Sequence, residues 1–207
     1  MRYIFVHGLG QSSSSWEKTI SCIDDTTQIS NPDLFDLLQD KKPTYNNLYT
    51  AFSKYIEEYF EPVVLIGLSL GAVLALNYTI DHPSRVGSLI LIAPQYKMPK
   101  ILLKVQNTIF RFMPESPFQK LGSSKNDFIL LSSSMMELDF SNDLKKVQCK
   151  TLVLCGEYDK VNKRASEKLA EQIPAAEIRT IMGVGHEVNM EAPEKLVSIL
   201  NDFLRKH

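Results

Sequence analysis

Residues Gly67-Leu68-Ser69-Leu70-Gly71 sit between the apolar run Val63–Ile66 and the segment Ala72–Ile80, and no other feature limits the fold of this chain so tightly. The run before them is short, unbroken in apolar character and rich in β-branched side chains, as a strand buried on both faces should be. The segment after them reads as a helix. A strand that turns into a helix over so few residues brings the two backbones together, and glycine at 67 and 71 removes the Cβ atoms that would collide. Such a turn holds the central serine in a strained conformation beside the helix N-terminus, where free N–H groups and the helix dipole favour developing negative charge. The plainer reading is a serine that caps a helix between tightly packed glycines.

The rest of the sequence repeats that strand–helix rhythm, which indicates an α/β fold: a mostly parallel sheet of about six strands with helices on both faces. Strands are expected at Tyr3–Val6, Thr27–Ser30, Val63–Gly67, Ser88–Ala93, Thr151–Cys155 and Glu177–Ile181. The segment Ser13–Ile23 carries Trp16, Ile20 and Ile23 at helical spacing. Tyr45–Phe60 places Leu48, Phe52, Tyr55, Ile56 and Tyr59 on one stripe. Further helices are expected from Leu70 to about Ile80, at Lys163–Gln172 and at Pro193–Lys206, the last opening with a proline where a first turn tolerates one. From Pro94 to about Lys146 the alternation stops. Prolines stand at 94, 99, 114 and 117, and Ile101, Leu102, Val105, Ile109 and Phe112 recur at helical spacing. A structureless loop of that length is implausible in a compact domain, so residues 94–146 are expected to form a cap of short helices. Residues 1–93 and 147–207 would then form the α/β core of a single domain.

A serine nucleophile needs a base, and the chain has four histidines: His7, His82, His186 and His207. His186 lies between the last expected strand and the last helix, with Gly183 and Gly185 allowing the loop to bend. A free imidazole titrates near ~6.5, suited to taking a proton from serine and returning it to a leaving group. An exposed loop histidine is the plainer alternative. His82 stands at a helix end, His207 is terminal, and His7 follows a strand where a packing or hydrogen-bonding role is available. The base in turn needs a carboxylate to fix its tautomer. Asp159, just past the strand Thr151–Cys155, is the first choice, and Glu157 the second. Two backbone donors complete the set: the amides of Leu9, in His7-Gly8-Leu9-Gly10, and of Leu70, next to the serine.

Composition narrows the function by exclusion. At 207 residues the chain is long enough to bury roughly 70% of its unfolded surface, so it needs neither disulfides nor a metal to fold. Its 23 basic and 24 acidic side chains leave a net charge of −1, and no basic run suggests nucleic acid. Cys22, Cys149 and Cys155 have no zinc-ligand spacing, and Cys155, in an apolar run, reads as a buried thiol. No metal or organic cofactor is expected. No apolar run approaches ~18 residues, and the strand-like start MRYIFVHG is unlike a signal peptide, so a cytoplasmic protein is expected.

The segments HGLGQSSSSW, GLSLG, GEYDK and GVGHEVNMEAPEKL resemble the oxyanion loop, nucleophile elbow, acid loop and histidine loop of the α/β-hydrolase superfamily, in that family's chain order. The resemblance is nearest to its capped esterase, thioesterase and lactonase branches. Three departures stand out. The N-terminal antiparallel strands are missing, NPDLFDLLQDKKPTY replaces the usual glycine-histidine-glycine segment, and Val161-Asn162 stands where proline is common. The resemblance implies a serine hydrolase with Ser69, Asp159 and His186 as its triad, Leu9 and Leu70 as oxyanion donors, and a small acyl ester or thioester as substrate. Met98, Met113, Met135 and Met136, with Phe110, Phe112, Phe118 and Phe128, either line an acyl pocket in the cap or anchor it. The alternative function is a non-catalytic, receptor-like member of the same superfamily.

Overall fold

The computed structural model of the chain describes residues 1–23, 28–174 and 176–205. Its strands are β1 (Tyr3–Val6), β2 (Ile29–Ser30), β3 (Val63–Leu68), β4 (Val86–Ile92), β5 (Lys150–Gly156) and β6 (Glu177–Ile181). They make one sheet in the order β2-β1-β3-β4-β5-β6. Every neighbouring pair is parallel, with Ile4 beside Leu65, Leu65 beside Leu89 and Leu89 beside Thr151. The chain passes outward from β1 to β2 and then jumps back over β1 to β3. The direction of winding therefore reverses between β1 and β3, and ligands bind at such a reversal, beyond the carboxyl ends of the strands.

Each strand feeds two cores because side chains alternate across the sheet. Val63 and Leu65 join Leu48, Phe52, Leu76 and Leu169 on one face. Val64 and Ile66 join Phe5, Trp16, Leu196 and Phe203 on the other. Full burial of a side chain such as Phe203 contributes about 1.5–3 kcal/mol, so both faces stabilise the sheet strongly. The first core is covered by α2 (Leu34–Leu38), α3 (Tyr45–Glu57), α4 (Leu70–Asp81) and α8 (Lys160–Gln172). The second is covered by α1 (Glu17–Ile20), with the 3₁₀ turn Ser13–Trp16 before it, α9 (Val188–Glu191) and α10 (Pro193–Arg205).

The expected strands and helices recur with small shifts, one of which has a clear cause. α8 begins three residues early because the Asp159 carboxylate accepts the Asn162 amide and caps a first turn. α3 stops at Glu57, so Tyr59 falls beyond its stripe; Tyr55 and Tyr59 are half-buried and pack edge-on at 5.7 Å. Thr27 and Lys206, at the ends of an expected strand and helix, lie outside the described residues. α2 has no counterpart among the expected helices.

Between β4 and β5 lie α5 (Lys100–Phe112), α6 (Ser116–Gln119) and α7 (Lys125–Ser134). The segment leaves and returns through a short antiparallel pairing. Met98 N–H donates to Leu138 O, Phe140 N–H donates to Tyr96 O, and Lys97 pairs with Asp139 at 2.8 Å. Phe110, Phe118 and Phe128 pack on one another, and Phe128 stacks on Phe35 of α2 at 5.0 Å. Phe128 thus ties the segment to α2, while Met98, Leu131 and Met135 join the first core. Among the described residues, no helix is long and apolar enough to cross a membrane.

Candidate functional site

The turn from β3 into α4 holds Ser69 at φ 54° and ψ −111°, a region that non-glycine residues avoid at a cost of ~1–3 kcal/mol. Two contacts enforce it. A Cβ on Gly67 would collide with the Gly71 carbonyl, and one on Gly71 would collide with the Val6 carbonyl of β1. Ser69 N–H donates to Ile92 O of β4 at 2.9 Å, which locks the turn to the next strand. Leu70 is the first residue of α4, so its N–H belongs to the first turn, whose amides have no acceptor within the helix.

His186 enters from the loop after β6, where Gly183 adopts φ 80° and lets the chain reverse. Glu191 fixes that loop by accepting from the amides of Gly185 and Glu187 at 2.7 and 3.1 Å. The imidazole Nδ1 lies 2.7 Å from Asp159 Oδ2, leaving Nε2 without a partner among the described residues. Asp159 is only 6% exposed. Burial alone would push its carboxyl up, yet the hydrogen bonds from His186 and Asn162 outweigh it and hold the group below the ordinary carboxylate range. Glu157, the second choice for this place, turns elsewhere and accepts the Gly183 amide at 2.8 Å.

Asn162 belongs to this network, and sequence reasoning noted it only as a departure from a family pattern. Its Nδ2 donates to both Asp159 oxygens, at 3.0 and 2.9 Å, and its Oδ1 accepts from Gln95 Nε2 at 2.7 Å. A second tie joins the loop after β1 to the histidine loop. Gln11 and Asn189, both buried, exchange two hydrogen bonds at 3.3 Å, and Gln11 Oε1 also accepts from Gly8 N–H. Gln11 and Asn189 lie 178 positions apart, so no local pattern could have linked them.

His7 is held at both ring nitrogens: Leu34 N–H donates to Nε2 at 3.0 Å, and Nδ1–H donates to Gly8 O at 2.9 Å. It serves as a structural clamp between β1 and α2. Burial pushes its pKa down, against the raising effects of the Gly8 bond and the Asp33 charge. His82 caps α4 and packs on Tyr78 at 4.6 Å, and His207 lies outside the described residues.

Ser69, Leu70, Leu9, Asp159 and His186 all line one cavity of about 390 Å³. Its remaining walls are mostly apolar, Val73, Met98, Leu102, Leu103, Met135 and Val161 among them, with Gln95, Gln106, Ser132 and Asn162 as polar points. Of the eight methionines and phenylalanines in question, Met98 and Met135 reach the cavity, while the phenylalanine cluster does not. The buried Ser132 hydroxyl has no hydrogen-bond partner among the described residues. Nor, among those residues, is any group of three or more His, Cys, Asp and Glu side chains placed to hold a metal ion.

Residues 3–199 match the model of the alpha/beta hydrolase family. The chain is similar to alpha/beta hydrolase domain-containing protein VTE7 of Arabidopsis thaliana, at 25% identity, over 76% of this chain and 57% of that protein. It is also similar to a proline iminopeptidase of Heyndrickxia coagulans, at 23% identity, over 70% and 67%. The chain thus spans little more than half the length of the first of these relatives. Among solved structures, MenH from S. aureus superposes with a TM-score of 0.83 at 18% identity, covering 100% of this chain and 94% of that one. A thermophilic esterase from Thermogutta terrifontis gives 0.78 at 20% identity, covering 100% and 90%. At these identities the structural likeness speaks for the fold alone.

Proposed function

The chain belongs to the alpha/beta hydrolase family, and from that premise we propose that it is a serine hydrolase cleaving a small carboxylic ester or thioester through an acyl-enzyme. One observation carries the reading: the strained Ser69, the His186–Asp159 pair and the amides of Leu9 and Leu70 belong to residues lining a single cavity. In the proposed reaction, Ser69 Oγ attacks the acyl carbon while His186 Nε2 takes its proton. Asp159 holds the imidazole in the tautomer with Nδ1 protonated and stabilises the imidazolium. The two amides hold the oxyanion, each worth ~2.7–4 kcal/mol in the transition state. His186 returns the proton to the departing alcohol or thiol, and water then cleaves the acyl-enzyme by the same steps. No cofactor is needed at any of them. A cavity of about 390 Å³ with mostly apolar walls suits an apolar acyl group of modest size.

The test is hydrolysis of short- and medium-chain p-nitrophenyl esters by wild type and Ser69→Ala, on matched folded protein. Turnover in the wild type that falls by roughly 10³-fold or more in the variant supports the reading. Equal rates in the two proteins refute Ser69 as nucleophile. No turnover of any acyl compound, with tight stoichiometric binding of one, points to the receptor-like alternative.

A further inference from the structure

Helix α5 forms one side of the cavity mouth and carries an apolar stripe that the protein itself leaves uncovered. Ile101 is 81% exposed, Val105 51%, Ile109 55% and Phe112 86%. At 100° per residue these four fall within one narrow arc, a continuous ridge about 20 Å long for a helix of this length. Leu102, also exposed, continues the ridge to the cavity, whose wall it shares with Leu103 and Gln106. The opposite flank of the ridge is basic. Lys100, Lys104 and Arg111 follow one another along it, and no Asp or Glu occurs anywhere from Lys97 to Met113. Lys100 is paired with Glu137, but Lys104 and Arg111 are exposed and have no acidic partner among the described residues.

We propose that α5 is a docking helix for an anionic phospholipid surface, which would bring the cavity mouth against the bilayer. The pattern is that of a helix lying in the interface plane: aromatic and aliphatic side chains enter the acyl boundary while lysine and arginine meet the headgroups. The charge selects this occupant. A second copy of the chain would set Lys104 and Arg111 near their own kind across a two-fold axis, whereas an anionic surface complements them. The inference is independent of the chemistry assigned to Ser69, since docking needs only the outer face of α5.

The test uses the full chain carrying Ser69→Ala, so that binding is read without turnover. Its partition onto vesicles of phosphatidylcholine with phosphatidylglycerol is compared with that onto phosphatidylcholine alone. Binding is expected to the anionic vesicles and to weaken as salt rises. The double variant Ile109→Glu/Phe112→Glu should lower partition by at least about tenfold. Lys104→Glu/Arg111→Glu should remove the preference for phosphatidylglycerol. All four side chains are exposed, and unchanged thermal melting would show that the variants fold. Absence of partition, partition indifferent to phosphatidylglycerol, or partition unaffected by Ile109→Glu/Phe112→Glu overturns the proposal. So does a wild-type dimer in solution that this variant makes monomeric without either protein binding vesicles; the ridge is then a contact between copies.

Discussion

Asn162 Nδ2 stands 2.9 Å from Asp159 Oδ2, the same oxygen that lies 2.7 Å from His186 Nδ1. The buried carboxylate is thus held from two sides, and Gln95 fixes the amide by donating to Asn162 Oδ1. Removing Asn162 should therefore act on Asp159. Asn162→Ala is expected to lower kcat roughly 10- to 100-fold through a misplaced imidazole. It should also cost about 1–3 kcal/mol by leaving a buried group short of its partners. The acid side gives an independent reading. Asp159 titrates below its ordinary 3.8, so its contribution is present above that value and lost as pH falls through the lower folded pKa. Asn162→Ala should flatten this part of the stability curve, measured by urea unfolding across that range.

Asp159→Asn keeps the shape of the side chain but gives His186 the wrong partner. The expected loss is ~10⁴-fold in kcat with little change in KM. Glu157→Gln, by contrast, should leave the rate within about twofold, because Glu157 accepts a loop amide and does not meet the imidazole. Steady-state kinetics on both variants decides between the two carboxylates. A larger loss from Glu157→Gln would reverse the assignment.

Gly71→Ala adds one carbon where the Val6 carbonyl already stands. The contact is backbone against backbone, so no rotamer change relieves it. A loss of stability above ~3 kcal/mol, or failure to fold, is expected in denaturant unfolding.

His7 gives the fold a pH dependence on its own. Burial holds its pKa below 6.5, so the unfolded chain takes up the proton more readily than the folded one. The stability His7 supplies is present above about pH 6.5 and declines as pH falls below it. His7→Ala should cost about 1–3 kcal/mol near neutrality, since Leu34 N–H loses its acceptor. It should also lose this slope in unfolding midpoints measured from neutral to mildly acid pH.

What could be read in the sequence was what its physics keeps local. The turn at Gly67–Gly71 needs its glycines within five positions, so steric necessity and pattern coincide there. The buried strands announce themselves because both faces of β3 are covered. α2 escaped notice because five residues are too few to show a helical stripe; its one local sign, Asp33 accepting Phe35 N–H as a cap, lay inside a segment read only as a departure. Asn162, Gln95, Gln11 and Asn189 escaped for another reason. Each is an ordinary polar residue in isolation. Gln95, Gln11 and Asn189 meet partners that the topology delivers from far along the chain. Asn162, three positions from Asp159, matters because the topology brings His186 to the same carboxylate. The clustering of Phe110, Phe118 and Phe128 away from the cavity has the same origin, since helical spacing does not say which neighbour the apolar face meets.

The central claim is that Ser69 is an activated nucleophile, and reaction with a fluorophosphonate tests it most directly. Intact mass should rise by one probe per chain, peptide mass spectrometry should place the adduct on Ser69, and both Ser69→Ala and His186→Ala should abolish or sharply slow labelling. Folded wild type that stays unlabelled while a known serine hydrolase reacts alongside it, or an adduct on another residue that persists in Ser69→Ala, would contradict the account.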